Sequence, residues 1–230
     1  MSNVLGFWTV VVAAVLMTPS AFAQNKPTAS LKGWGEVIDP DGDCRIGQEG
    51  GTLSIAIPAT LHDLSAEAGH MNAPRVIKDI EGDLIAQVKV SGNFSHSGQR
   101  TSNRYLAYHG GGLVLWQDDR NYARLERAAL LDQNGQVVHY ANFEIRRGGR
   151  RLRTPANVRL PDQSAFLRLE RRQGKIFGSV SVDGVKWTAF DPFVIDPKGL
   201  LKLGVCAINT STEPFTAQFS DLEVFKKETR

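Results

Sequence analysis

The sequence lacks the short motifs that identify the common classes of enzyme. Its two cysteines form no Cys-x-x-Cys pair, and there is no paired-histidine zinc motif, nucleophile elbow or Walker loop. The sequence also has no large excess of positive or negative charge, because 27 Lys and Arg residues nearly balance 24 Asp and Glu residues. The net charge of +3 is too small to indicate a nucleic-acid partner, so we expect none.

Long apolar runs and helical patterns are equally scarce. After residue 23 no stretch is apolar enough to cross a membrane, and only residues 61–69 could form a helical turn or two. The chain instead shows alternation with a period of two, in which every second residue is apolar, as at Leu53, Ile55 and Ile57, at Leu84, Ala86, Val88 and Val90, and at Leu167 and Leu169. This pattern predicts an all-β protein of two antiparallel sheets packed face to face.

The N-terminus has the features of a signal peptide. Residues 1–23 carry no charged side chain, are apolar in their centre and end in the small-x-small sequence Ala21-Phe22-Ala23. We therefore predict cleavage before Gln24, a secreted or periplasmic location, and a mature chain without a membrane span. The n-region has no Lys or Arg, and an uncleaved anchor is the alternative. Residues 24–31 are predicted to be a flexible lead-in, and residues 32–227 a single domain.

A long polar and aromatic hairpin resembles a known family of β-sandwich domains. The run from Gly111 to Ala128, GGLVLWQDDRNYARLERA, reads as two strands joined by a polar turn. It is similar to the pattern GL-x-x-W-x-D-x-x-N-Y-x-R-L-E of the family named after the yeast regulation-of-enolase protein. The segments DPDGDC, from Asp39, and LGVCAINTS, from Leu203, extend the resemblance over nearly the whole chain. It implies a concanavalin A-like jelly-roll β-sandwich, but no activity, because the family has none that is settled.

Three candidate strands, at residues 122–126, 140–144 and 166–170, display polar and aromatic side chains on one face. In concanavalin A-like sandwiches such a face is usually concave and often binds sugar. We therefore predict a non-catalytic module for polysaccharide or glycoconjugate, with ligand-binding residues Trp116, Tyr122, Arg124, Glu126, Tyr140, Asn142, Glu144 and Arg168. His109, at the end of the preceding strand, could also line this groove. The alternative is a solvated face with cross-strand ion pairs.

Two other functions remain open at this point. Hydrolases that share this sandwich typically carry E-x-D-x-x-E on one strand, which is absent here. A weak glycan-active enzyme would need a carboxyl pair drawn from Glu126, Glu144 and Glu170, placed on either side of the scissile bond. The third candidate is a structural domain of the cell envelope without a small ligand. We assign no catalytic residue.

Two charged segments are candidate ion sites. Asp39, Asp41 and Asp43 alternate along the loop DPDGDC, and closely spaced carboxylates are typical calcium ligands. The EF-hand spacing is not met, so a polar turn is the alternative, and no cofactor beyond a structural calcium is expected. Arginines cluster further along the chain, at Arg146, Arg147, Arg150, Arg151 and Arg153. They suit an anionic polysaccharide, or else form a solvated loop.

The two cysteines are expected to form one disulfide. In sandwiches of the implied type the first and last strands usually lie side by side, which would bring Cys44 close to Cys206. Two unpaired buried thiols are the alternative, because Cys206 lies in an apolar run and free cysteine is often buried.

Overall fold

The described part of the chain folds mainly into β-strands. The computed structural model describes residues 29–152, 155–194 and 199–226, and in these ranges the only helix is a 3-10 turn at Ala66–Ala68. The strands are β1 (Ser30–Leu31), β2 (Gly35–Ile38), β3 (Arg45–Glu49), β4 (Thr52–Ile57), β5 (Leu64–Ser65), β6 (His70–Met71), β7 (Arg75–Ile80), β8 (Leu84–Ser91), β9 (His109–Asp118), β10 (Asn121–Leu131), β11 (Val137–Arg147), β12 (Arg150–Arg151), β13 (Val158–Arg159), β14 (Ala165–Arg172), β15 (Lys175–Ser181), β16 (Thr188–Ala189), β17 (Phe193–Val194), β18 (Leu201–Asn209) and β19 (Phe215–Lys226).

Two large antiparallel sheets form a sandwich. Sheet 1 has nine strands in the order β1-β2-β7-β18-β9-β10-β11-β12, with β13 beside β11. Sheet 2 has eight strands in the order β16-β15-β14-β8-β19-β4-β3, with β17 beside β15. β5 and β6 form a separate two-stranded ribbon. The predicted all-β sandwich of two antiparallel sheets is therefore confirmed.

The main core lies between the two sheets. Alternate residues of each sheet point inward because side chains along a strand alternate between faces. Leu113, Leu115, Leu125, Phe143 and Val205 of sheet 1 pack with Ile55, Val88, Val90, Leu167 and Phe219 of sheet 2. Each of these side chains is almost completely buried. These ten apolar residues thus lie on the inward faces of the sheets, as the period-two alternation predicts.

The outward faces of the two sheets differ. In sheet 2, strands β8 and β14 alternate between buried and half-buried residues, as expected for a face that meets solvent. In sheet 1, most of β9, β10 and β11 is buried on both faces. A second apolar cluster explains this burial, since Leu64 and Met71 pack on Val114, Trp116 and Tyr122. We call residues 64–71, which contain β5, the 3-10 turn and β6, the cover segment.

The predicted domain, residues 32–227, falls almost entirely within the stretch from residue 29 to residue 226 that contains the described residues. Residues 1–28, which hold the predicted signal peptide and most of the predicted lead-in, lie outside the described residues, as does residue 227. Ser30–Leu31 pairs with β2 as an edge strand, so strand pairing includes the last two residues of the predicted lead-in. In the ranges that the structure describes, no helix has the length and apolar character needed to span a bilayer.

The predicted disulfide between Cys44 and Cys206 is wrong, because both cysteines are free. Cys206 lies in β18, in the middle of sheet 1, where it belongs to the apolar cluster beneath the cover segment. Cys44 precedes β3, the edge strand of sheet 2. The segment of Cys44 does not pair with β18, the strand that contains Cys206. The alternative of two unpaired thiols is the one observed, with Cys206 fully buried and Cys44 partly buried.

Candidate functional site

A pocket of about 570 Å³ opens on the outward face of sheet 1, beside the cover segment. Its floor comes from β10 and β11, and its walls come from the cover segment, the loop before β9 and the segment after β12. The lining residues are Asp63, Ser65, Glu67, Arg104, Tyr105, Leu106, Tyr108, Arg124, Leu130, Tyr140, Asn142, Glu144, Arg146, Arg151, Asn157 and Thr210. Volumes of this size are typical of sites for small ligands.

The register of β10 against β11 assembles the floor. Arg124 lies opposite Glu144, and Tyr122 lies opposite Arg146, so residues two apart on each strand share the outward face. Tyr140 enters the same face opposite Ala128, whose small side chain leaves room for the ring. The pairing is continuous along both strands, which holds the polar side chains on rigid backbone rather than on loops.

Arg124 is the centre of a buried ion network. Its Nε is 3.1 Å from Glu126 Oε2, and its Nη2 is 3.0 Å from Glu144 Oε2. Its Nη1 donates to the carbonyl oxygen of Leu64 at 3.2 Å and lies 3.6 Å from Asp63 Oδ1. The guanidinium is therefore held from three sides and joins the cover segment to the sheet. Buried charges require such pairing because they have lost their hydration.

The two glutamates on the floor have opposite pKa shifts. Burial raises the pKa of Glu126 to about 7, although the Arg124 charge acts against this shift. Tyr108 donates a hydrogen bond of 2.7 Å to Glu126 Oε2, whereas Oε1 is buried without a hydrogen-bond partner among the described residues. Burial also acts on Glu144, but Arg124 and Arg146 outweigh it and lower its pKa to about 2. Glu144 is thus ionised at neutral pH, whereas Glu126 changes between its protonated and ionised forms near neutral pH.

Arg146 ties the cover segment to the floor. Its Nε and Nη2 each donate to a Glu67 carboxylate oxygen at 3.1 Å, a bidentate pair, and its Nη1 contacts Glu144. The hydroxyl of Tyr122 donates to the carbonyl oxygen of Leu64 at 2.9 Å. These hydrogen bonds hold the cover segment on the outward face of sheet 1. They take the place of hydrogen bonds that the polar side chains of the floor would otherwise make to water.

The predicted ligand-binding residues separate into three groups. Arg124, Tyr140, Asn142 and Glu144 line the pocket. Trp116, Tyr122 and Glu126 lie on the same outward face but are buried and do not line it. The indole of Trp116 stacks on the Tyr122 ring at 5.0 Å, with the Arg75 guanidinium 4.4 Å from its ring. Trp116 and Tyr122 thus pack beneath the cover segment with Leu64, whereas Glu126 contacts Arg124 and Tyr108.

Arg168 is not part of this face, and its predicted placement is wrong. It lies in β14, which pairs with β8 and β15 in sheet 2. Its guanidinium sits 3.8 Å from the Trp187 ring and donates to Gln87 Oε1. Glu170, on the same strand, pairs with Arg172 at 3.3 Å. The period-two pattern of β14 was identified correctly, but the pattern does not determine which sheet a strand joins.

His109 faces the main core rather than the groove. It opens β9 on the same parity as Leu113, and its ring stacks on Phe215 at 4.5 Å. Burial and the neighbouring His96 lower its pKa to about 4, so the imidazole is neutral. The expectation that His109 lines the groove is therefore wrong.

The arginine cluster is divided by the fold. Arg146 and Arg151 line the main pocket, whereas Arg150 lines a second depression of about 480 Å³ near Arg120. Arg147 is exposed at the end of β11, and Arg153 lies outside the described residues. The cluster thus contributes to two sites instead of forming one.

The aspartates of the loop between β2 and β3 do not converge as one trio. Asp39 and Asp43 group with Cys44 and His62, and the potential ligand atoms of these four residues all lie within 4.8 Å of one another. Asp41 Oδ2 accepts a hydrogen bond of 2.6 Å from Asn72 and lies 3.6 Å from His62 Nε2, beside this group. The calcium expectation is not tested by these contacts.

Several lining residues were missed from the sequence. The walls come from loops that are remote along the chain, and they include Asp63, Glu67, Arg104, Tyr105, Tyr108 and Asn157. Asp63 alone had a signal, because the segment His62-Asp63-Leu64 is also similar to the opening pattern of the resembled family. The others lie in stretches without periodicity, where neither face nor partner is encoded locally.

Comparison with known proteins assigns the fold. No protein-family model matches the chain, and no curated protein matches it. A functionally unknown protein from Saccharomyces cerevisiae is similar, with a TM-score of 0.62 and 15% identity over 80% of this chain and 93% of that one. The GH43 BlXynB protein from Bacillus licheniformis has a TM-score of 0.62 and 15% identity over 83% of this chain.

A xylan beta-1,4-xylosidase from Bacillus halodurans C-125 is also similar, with a TM-score of 0.57 and 12% identity over 80% of this chain. The match covers 36% of BlXynB and 34% of the xylosidase, so this chain spans about a third of each enzyme. At these identities the similarity concerns architecture alone. The chain therefore shares its β-sandwich fold with the yeast protein and with part of these two bacterial proteins.

Proposed function

We propose that this protein is an exported, non-catalytic module that binds polysaccharide or glycoconjugate in the pocket on the outward face of sheet 1. The observation that carries the proposal is the composition of the pocket, in which Tyr105, Tyr108 and Tyr140 accompany charged and amide side chains. Aromatic rings pack against the C–H faces of sugars, while polar groups at fixed positions hydrogen-bond to hydroxyls.

The polar groups of this pocket are held in place before any ligand arrives. Glu144 contacts Arg124, Arg146 and Arg151, and Asn142 projects from the same strand. A site whose side chains are already ordered loses little conformational entropy on binding. This supports recognition of a ligand whose hydroxyls match a fixed array of donors and acceptors.

The proposal also includes two expectations from the sequence, namely export of the protein and its membership of the family that it resembles. The predicted signal peptide would bring the module to the periplasm or the medium, where polysaccharides are accessible. The similarity to part of a xylan beta-1,4-xylosidase makes xylan the first probe to use. The finer assignment, a concanavalin A-like domain of the regulation-of-enolase type, remains part of the proposal.

Affinity gel electrophoresis tests the proposal, with soluble xylan or polygalacturonate in the gel. Arg104 and Tyr105 line the rim, where truncation should leave the fold intact. We expect at least one polymer to retard the wild-type protein, and Tyr105→Ala to weaken the retardation about fivefold, because an aromatic contact contributes on the order of 1 kcal/mol. If the ligand is anionic, Arg104→Ala should act similarly and added salt should weaken binding.

Matched controls lie on the other sheet. Arg168→Ala and Trp187→Ala remove one guanidinium and one aromatic ring from the outward face of sheet 2. They should leave retardation unchanged. Equal losses in both sets of variants would contradict a site in this pocket. Absence of retardation by any tested glycan would contradict glycan binding and favour a structural domain of the cell envelope.

One observation favours a glycan-active enzyme as the second candidate. Two carboxyl groups whose pKa values diverge, as those of Glu126 and Glu144 do, are typical of an acid and base pair. Against this, Glu126 is fully buried and does not line the pocket. Both groups also contact Arg124. Release of reducing ends from xylan by the wild-type protein, abolished in Glu144→Gln, would establish the enzyme; no release would support a binding module.

A further inference from the structure

Four side chains with metal-ligating atoms meet outside the set of residues that line the pocket. Asp39, Asp43 and Cys44 come from the loop between β2 and β3, and His62 comes from the segment between β4 and β5. One carboxylate oxygen from each aspartate, the thiol sulfur and an imidazole nitrogen all lie within 4.8 Å of one another. Two segments that are distant in sequence thus place four different ligands around one point.

The imidazole is fixed in the orientation that a metal ligand needs. The backbone of His62 exchanges hydrogen bonds with Asn209 of β18, at 2.8 and 3.0 Å, and its side chain is fully buried. Its Nδ1 lies 3.3 Å from the carbonyl oxygen of Thr60, while Nε2 faces Asp43 Oδ1 at 2.9 Å. A ligating histidine usually donates its second ring N–H to a carbonyl or carboxylate, which sets the tautomer and aims the other nitrogen.

The loop also presents an oxygen that the protein itself leaves unused. The backbone N–H of Cys44 donates to Asp39 Oδ2 at 3.0 Å, which closes the loop. Asp39 Oδ1 is buried and has no hydrogen-bond partner within the described part of the chain. A buried carboxylate oxygen without a donor is costly unless a ligand or ion binds it. Asp43 is exposed, so an ion can reach the cluster from solvent.

We propose that Asp39, Asp43, Cys44 and His62 bind one divalent cation of borderline softness, with zinc as the representative ion. Zinc takes four ligands from cysteine sulfur, histidine nitrogen and carboxylate oxygen, the set assembled here. Calcium requires six to eight oxygen ligands, whereas two of the four ligands in this cluster are a sulfur and a nitrogen. The site therefore differs from the calcium site expected from the three aspartates in both its residues and its ion.

The ion would join the end of the sandwich to the edge of the pocket. His62 precedes Asp63 and Leu64, which contact Arg124. A cation that links His62 to the loop before β3 would hold in place the residues that lead into the cover segment. We therefore expect zinc to stabilise the whole domain, because an ion that binds only the folded state adds to its stability.

The first test uses the wild-type protein, purified with a reducing agent and freed of metal by chelation. Equilibrium dialysis against zinc chloride should give one zinc per chain, and zinc at about 100 times its Kd should raise the Tm by about 5–10 °C. Replacing zinc with cobalt should produce the near-ultraviolet band of thiolate-to-cobalt charge transfer. This band reports Cys44 as a ligand without any substitution. Stoichiometric cobalt binding without it would overturn the proposal.

Matched variants provide the second test. Cys44→Ala and Asp43→Asn should each weaken zinc binding at least tenfold, on the scale known for supporting residues of metal sites. Cys206→Ala and Asp79→Asn remove a buried thiol and a carboxylate that pairs with Lys202, both outside the cluster, and should retain wild-type affinity. Equal losses in the two pairs, no zinc binding, or binding of calcium in preference to zinc would overturn the proposal. If Cys44→Ala fails to fold, the cobalt spectrum of the wild-type protein still decides whether Cys44 binds the metal.

Discussion

Glu126 and Glu144 show how neighbouring positions of one sheet face can hold the same side chain in different charge states. Both touch the Arg124 guanidinium, at 3.1 and 3.0 Å. Glu144 has two further arginines, Arg146 and Arg151, whereas Glu126 has the Tyr108 hydroxyl and is fully buried. The number of cations around each carboxyl therefore decides its charge, because burial acts on both.

This difference predicts how stability depends on pH. The pKa of Glu126 rises from 4.5 to about 7 on folding, so the folded state binds its proton more tightly than the unfolded state. The stability that Glu126 contributes is fully present below pH 4.5 and is lost as pH rises through about 7, by at most about 3 kcal/mol. We expect Glu126→Gln to remove this decline when the free energy of unfolding is measured by urea denaturation between pH 4.5 and 8.

Glu144→Gln is the control. The folded-state pKa of Glu144, about 2, lies below the ordinary 4.5, so its contribution is complete above pH 4.5 and is lost as pH falls towards 2. The difference between the wild-type protein and this variant should therefore stay constant from pH 4.5 to 8. Parallel curves for Glu126→Gln and the wild-type protein over this range would show that Glu126 is already ionised.

At the scale of elements, the close contact between β9 and β10 depends on a residue without a side chain. Gly112 lies opposite Glu126 in the pairing of β9 with β10. A Cβ atom at Gly112 would lie 2.0 Å from the carbonyl oxygen of Leu125 and 2.6 Å from the Cα of Glu126. Neither atom belongs to a movable side chain, so the strands themselves would have to separate.

We therefore expect Gly112→Ala to destabilise the fold by about 3 kcal/mol or more, since the overlap is with backbone. The measurement is the midpoint of thermal or urea unfolding. Gly47→Ala in β3 is the control, because no heavy atom lies within 4 Å of its Cβ position. This variant should change stability by no more than about 0.5 kcal/mol. Similar midpoints for the two variants would contradict the tight packing of β9 on β10.

At the scale of the whole molecule, the N-terminal segment predicts where the protein acts. Export with cleavage after Ala23 should yield a mature chain that begins with Gln24. Intact mass spectrometry of the protein recovered from the periplasm or medium would show this mass. Recovery of the full-length chain in the membrane fraction would instead support the uncleaved anchor.

The prediction of the site from the sequence was partial for a physical reason. Period-two alternation placed Arg124, Asn142 and Glu144 correctly on one face, because the direction of a side chain along a strand is local geometry. Arg168 had the same alternation but belongs to sheet 2. Which strands become neighbours depends on contacts between distant segments, and these leave no mark on the local pattern.

The sequence by itself determined the all-β class, the inward face of the main strands and four of the pocket-lining side chains. These properties follow from the alternation of side chains and from the burial of apolar surface. Only the tertiary structure decided that the cover segment buries the polar face of sheet 1, that Cys44 and Cys206 remain unpaired, and that His62 joins the loop before β3. Each of these depends on segments far apart in the chain, and their meeting is set by how the two layers pack.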